Sequence, residues 1–149
     1  MHRLHLLGRI DLHDPWDGVV RSVLAQPKRL ALLAYLCLKA RDGVCRRDGL
    51  LALFWPELDH EHARKALNKA IYFLRNALGE GVIVARTGDE LTIDRGQLWC
   101  DAVAFEEAVA KGQHAVASEL YRGELLPAFH VADVNEIGEW LESERARLR

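Results

Sequence analysis

The apolar positions of this chain change period three times. Residues 3–13 alternate, with Leu4, Leu6, Ile10 and Leu12 as the repeating set and Gly8-Arg9 interrupting them. This predicts a short hairpin or bent strand pair. Turn formers crowd Asp14-Pro15-Trp16-Asp17-Gly18, and Val19, Val20 and Val23 follow. The valines predict another short strand, so the first 25 residues are expected to form a small antiparallel sheet. A helix beginning at Pro27 comes next. It is apolar on nearly all sides over 29–39 and therefore central and buried, and Asp42-Gly43 is its expected end. Asp48 is placed to cap a short helix, 49–55, before Pro56.

The clearest period lies in 60–78. Ala63, Ala66, Leu67, Ala70, Ile71, Leu74 and Leu78 form an unbroken helical stripe, with Asp59 as its cap and Gly79 past its end. Val82-Ile83-Val84 and Leu91-Thr92-Ile93 flank a Gly-containing turn and predict a hairpin over 82–93. Residues 94–100 are expected to be a connection. Asp101 is expected to cap a helix to 111, with Phe105, Ala108 and Val109 on one face. A second helix, 113–122, completes a helical hairpin. Asn135 is expected to cap a last helix carrying Ile137, Trp140, Leu141 and Leu148 on its apolar side. That stripe needs a cover, so the chain is expected to be the front part of a longer protein.

Sheet, three helices and hairpin, in that order, are the layout of an α+β winged helix-turn-helix with an added N-terminal antiparallel sheet. We place it at 1–98, followed by an all-α region at 99–149. Charge divides at the same point. Residues 1–98 hold 15 Lys/Arg against 12 Asp/Glu, a net of +3, whereas 99–149 hold 5 against 10, a net of −5. No segment approaches the length of apolar chain that a membrane helix needs, and nothing resembles a signal peptide, so the expectation is a cytoplasmic protein. Cys37, Cys45 and Cys100 show no metal-ligand spacing and are expected as reduced thiols, with Cys37 in the core. His60 and His62 lie about 160° apart on a helix and recruit no cysteine, so no metal site is expected. There is no phosphate-binding loop, and Glu106-Glu107 and Glu142/Glu144 lie on acidic helix surfaces. No enzyme and no cofactor are expected.

The chemistry concentrates on the wet face of helix 60–78. Opposite the apolar stripe stand Lys65, Tyr72 and Asn76, with Asn68 and Lys69 beside them, and no carboxylate lies between Glu61 and Glu80. Lysine neutralises phosphate, and asparagine pairs bidentately with adenine in the major groove. Arg64 and Arg75, at about 90–100° from the apolar centre, would meet the sugar-phosphate backbone. Arg46 and Arg47 precede the short helix, where positive charge and N–H groups favour phosphate. Arg86 at the hairpin tip would enter the minor groove. Lys28 and Arg29 are secondary candidates for phosphate. Trp55 is expected in the core.

Several segments are similar to one family. They are Pro27-Lys28-Arg29-Leu30-Ala31-Leu32-Leu33-Ala34-Tyr35-Leu36, Arg47-Asp48-Gly49-Leu50-Leu51-Ala52-Leu53-Phe54-Trp55-Pro56, Ala63-Arg64-Lys65-Ala66-Leu67 with Leu74-Arg75-Asn76-Ala77-Leu78-Gly79, and Leu120-Tyr121-Arg122-Gly123-Glu124-Leu125-Leu126-Pro127 with Glu139-Trp140-Leu141. Together they resemble the SARP family of bacterial transcriptional activators. The resemblance implies an OmpR-type winged helix followed by the start of a tetratricopeptide-like bacterial transcriptional activator domain. It implies double-stranded DNA as partner, bound as direct repeats by self-associating copies, and RNA polymerase facing the loop Pro56-Glu57-Leu58-Asp59. The chain departs from the family at Tyr72-Phe73, where a small polar residue and an arginine are usual. The rival reading is a winged-helix protein–protein interaction module without specific DNA binding, whose Tyr72-Phe73 surface binds a protein; Phe73 on an exposed flank would support it.

Overall fold

The computed structural model describes residues 1–41, 43–129 and 135–149. The end expected at Asp42 and the side-chain cap expected from Asn135 lie outside what is described.

The alternating N-terminus forms β1 (His2–His5) and β2 (Asp11–His13), antiparallel with Leu4 opposite Leu12. Both leucines are buried while their neighbours face outward. Gly8 turns the chain at φ +78°, and a Cβ there would stand 2.6 Å from the backbone of Arg122. Glycine is thus required twice over, for conformation and for close approach. The rest of this sheet differs from expectation. Val19 contributes only an isolated bridge to His13, and Val23 lies in a one-turn helix, α1 (Arg21–Leu24). Burial of Val23 against the core overrides its β preference.

α2 (Pro27–Ala40) has proline at its first position and is buried on most sides. It sits at the centre, touching α1 and the elements that follow. β3 (Cys45–Arg46) leads directly into α3 (Arg47–Phe54). α3 begins two residues earlier than expected, so Asp48 stands in its first turn rather than at its cap. There it faces the positive end of the helix dipole. α4 (His60–Leu78) follows after Pro56–Asp59. Asp59 Oδ1 accepts the His62 N–H at 2.8 Å, and Gly79 ends the helix at φ +109°. β4 (Ile83–Arg86) and β5 (Glu90–Ile93) form the expected hairpin, and β3 pairs with the other edge of β5, giving the order β3-β5-β4. The hairpin is therefore tied to the start of α3.

The segment expected as a connection contains β6 (Leu98–Cys100), which pairs parallel to β1. The first sheet is β2-β1-β6, mixed rather than purely antiparallel. The division at 98/99 therefore falls inside a strand. α5 (Asp101–Ala110) starts at Asp101, which caps nothing by its side chain. Its carboxylate accepts the N–H groups of Leu6 (2.8 Å) and Leu7 (3.1 Å) instead. Burial raises its pKa, and these N–H bonds pull the other way. α6 (His114–Leu120) returns along α5, with Phe105 and Tyr121 rings 5.2 Å apart. Val109, expected on the buried face, is exposed.

α7 (Asn135–Leu148) corrects the argument for an uncovered stripe. Ile137, Leu141 and Leu148 are buried in the common core, and Trp140 packs 5.0 Å from Tyr35 of α2. The cover comes from α2 and α3 of the same chain. Arg145 donates to the carbonyls of Leu125 (2.9 Å) and Leu126 (2.6 Å). The apolar residues of both halves form one cluster. The cysteines are free and buried. Burial pushes Cys45 up to about 11, and a hydrogen bond with Cys100 and burial raise Cys37. No described helix is long and apolar enough to cross a membrane.

Candidate nucleic-acid interface

α4 separates its two faces as its period requires. Ala63, Leu67, Ala70, Ile71, Leu74 and Leu78 are buried. Each fully buried Leu or Ile contributes about 1.5–3 kcal/mol, enough to fix which side turns outward. The outward side consists of Arg64, Lys65, Asn68, Lys69, Tyr72 and Asn76, all exposed; Tyr72 retains 68% of its surface. Lys65 has an ion pair with Glu61 one turn earlier (3.6 Å). Such a pair is worth about 0.3–0.5 kcal/mol and exchanges readily for another anion. No described residue forms an ion pair with Arg64 or Lys69.

Of the other predicted residues, Arg47 reaches this face, whereas Arg46 and Arg86 lie on the second sheet, on either side of Glu90. Arg46 is exposed in β3, opposite Glu90. Arg47 is half-buried at the first position of α3, and its Nη1 donates to Asn68 Oδ1 at 3.1 Å. The Arg47 backbone N–H donates to the Asp89 carbonyl at 2.7 Å, so the hairpin turn sits against the start of α3. Arg86 is exposed at the end of β4, where Thr87 Oγ1 donates to Glu90 Oε1 (2.7 Å) across the turn. An open recess of about 530 Å³ lies where α3, α4 and the turn meet. Its walls include Arg47, Asp48, His60, Arg64, Asn68 and Asp89.

Arg75 has another partner than the expected backbone phosphate. It is half-buried, and its Nε (3.2 Å) and Nη2 (2.8 Å) both donate to the Ile83 carbonyl in β4. It anchors the hairpin to α4. Phe73 is not on an exposed flank. It packs on the core with the Arg29 guanidinium 4.6 Å from its ring centre. Arg29 thus serves packing. Lys28 lies over the Trp55 ring (5.0 Å) and 3.6 Å from Glu57, and Trp55 is buried as expected.

Sequence reasoning missed the Arg47–Asn68 bond and the presence of His60 and Asp89 in the recess. The 21-residue separation of the bonded pair leaves no local periodic signal. His60 Nε2 lies 3.5 Å from Asp48, and His62 Nδ1 lies 2.8 Å from the capping Asp59, so each histidine has a carboxylate neighbour of its own. Among the described residues no three His, Cys, Asp or Glu converge on a point where a metal ion would fit.

The fold has a solved counterpart. Over 99% of its length the chain is similar to Mycobacterium tuberculosis EmbR, whose structure is of a complex with a low affinity phosphopeptide. The TM-score is 0.63 and the identity 22%, and the chain spans 43% of that protein. At this identity the likeness establishes the fold alone: a mixed α+β arrangement of two small sheets and helices resembling EmbR. No family model matches the sequence, and no curated protein matches it.

Proposed function

We propose that this protein is a transcription regulator of the SARP type that binds specific double-stranded DNA through a winged helix-turn-helix. One observation carries the reading. The longest helix buries its apolar side and leaves a carboxylate-poor face of lysine, arginine, asparagine and tyrosine open, with a hairpin anchored beside it. An α-helix of this kind fits the major groove. Lys65, Asn68, Lys69, Tyr72 and Asn76 face the base edges and inner phosphates. Arg64 and Arg46 hold the backbone, and Arg86 on the wing meets the minor groove. Arg75 holds the wing in place.

The number of cations sets the scale. Arg46, Arg64, Lys65, Lys69 and Arg86 neutralise about four or five phosphates, which gives a log–log salt slope near −4 and a loss of roughly two orders of magnitude in affinity between 50 and 200 mM salt. One copy on one site is weak. Copies on direct repeats about one helical turn apart lie on the same side of the duplex, where contact between them combines their binding free energies. RNA polymerase is the partner proposed for the exposed loop 56–59 between α3 and α4. The fold likeness to EmbR agrees with this family and does not itself address DNA.

Selection of bound fragments from a random duplex pool, followed by titration at several salt concentrations, tests the proposal. The expected outcome is one enriched motif bound about a thousandfold more tightly than random duplex, with the slope above. Equal affinity for all duplexes would make the protein a non-specific binder. Absence of binding would return it to the interaction-module reading, which has lost Phe73 from its proposed surface.

A further inference from the structure

Arg47 joins three elements. Its backbone N–H is bonded to Asp89 of the hairpin turn, its position opens α3, and its guanidinium reaches across to Asn68 on the outer face of α4. Accepting that α4 enters the major groove, as proposed above, this contact changes what Asn68 reads. An asparagine pairs with adenine by using its amide oxygen to accept from N6 and its amide nitrogen to donate to N7. Here the oxygen already accepts from a cation. The guanidinium beside it also repels the amino hydrogens that adenine would bring. What Asn68 then offers outward is its NH2 group, a pair of donors. Guanine presents two acceptors, O6 and N7, to the same groove.

We propose that Arg47 fixes the Asn68 amide as a hydrogen-bond donor, so that this point of the recognition helix selects guanine over adenine. Arg47 acts here as a positioning residue. Two arginines, Arg47 and Arg64, and two aspartates, Asp48 and Asp89, line the recess around the pair, so its charge is balanced and does not single out a phosphate as its occupant. The volume of about 530 Å³ leaves room for a base edge. The backbone bond from Arg47 to Asp89 fixes the main chain from which the arginine side chain reaches the Asn68 oxygen.

Fragment selection with the intact chain and with Arg47→Ala, Arg47→Lys and Asn68→Ala tests this. The intact chain should enrich guanine at one position. Arg47→Ala releases the amide oxygen and should shift that position toward adenine by about tenfold in relative preference, with other positions unchanged. Arg47→Lys, which still donates to the oxygen, should keep guanine. Asn68→Ala should flatten that position, and adding Arg47→Ala to it should change nothing more there. If Arg47→Ala instead weakens all duplexes equally and reduces the salt slope by about one, Arg47 is a phosphate contact and the inference falls while the DNA-binding reading stands. If the intact chain enriches no motif, both fall. A measurement without DNA examines the pair itself. The Asn68 side-chain amide resonances should move in Arg47→Ala while the α4 backbone resonances away from residue 68 stay in place, and unmoved amide resonances would overturn the contact.

Discussion

α4 carries four lysines and arginines and α7 two arginines, and the two helices use them in opposite ways. On α7, Arg145 donates to two backbone carbonyls and to Glu142, and Arg147 lies 2.5 Å from both Glu106 and Glu144, two carboxylates that are themselves buried. On α4, Arg64 and Lys69 point outward, and only Arg75 turns back to the protein. The contrast shows that the number of cations on a helix says little about nucleic acid. Their direction says more. The charged groups of α7 tie it to α5 and to the 124–126 segment within the second half of the chain. Those of α4 remain available to a polyanion.

Removing Arg145 should have the largest effect. Its guanidinium holds the carbonyls of Leu125 and Leu126, and Leu126 adopts φ +47°, a conformation that a leucine rarely keeps unaided. Arg145→Ala should destabilise the chain by about 2–4 kcal/mol, since each bond from a charged donor contributes roughly 1.5–3 kcal/mol. Thermal unfolding followed by circular dichroism should show it, and DNA affinity well below the melting temperature should not change. Equal stability of the variant would dissolve the contrast with α4.

Arg75→Ala tests the exception within α4. Loss of both bonds to Ile83 should loosen the hairpin by about 1–2 kcal/mol, and β4–β5 amides should exchange about tenfold faster in hydrogen-exchange measurements. DNA affinity should fall with little change in salt slope. A slope reduced by about one would make Arg75 a phosphate contact after all. Lys69→Ala should do what Arg75→Ala does not. It should reduce the slope by about one while leaving stability within about 0.5 kcal/mol.

The smallest effect concerns His13, on the sheet far from α4 in sequence. Its hydrogen bond to Asp11 (2.6 Å), then that to the Asp17 carbonyl, raises its pKa above 6.5. The stabilisation is therefore complete below the unfolded value near 6.5 and is lost as pH rises through the higher folded value. A nuclear magnetic resonance titration should find a His13 midpoint above 6.5, moving back toward that value in Asp11→Asn. DNA binding should not follow it.

Which features the sequence disclosed depends on how local their causes are. The α4 stripe, the Asp59 cap, the Gly79 end and the 82–93 hairpin are all set by neighbours within a few positions, and each was legible. β6 was not. Leu98-Trp99-Cys100 is too short to show alternation, and its partner β1 lies far away in sequence, with His2 opposite Leu98. Asp101 bears a capping residue's chemistry, yet its acceptors serve Leu6 and Leu7 because β1 runs past it. Val23 has a strand former's side chain and sits in a helix because the core claims it. At the candidate interface, helical projection gave the outward residues of α4 correctly. It could not tell that Arg75 meets Ile83 or that Arg47 meets Asn68, since an angle about one axis does not name what stands on the next element.

The central claim is that the open face of α4 and the hairpin turn are where a duplex lies. Backbone and side-chain amide resonances of the full chain, followed while the selected duplex is added, test it most directly. The account predicts that shifts concentrate on the outward residues of 61–76 and on 86–89, with α5–α7 unmoved. Shifts centred on the exposed Trp16 turn or on the α5–α6 surface, with α4 silent, would contradict it.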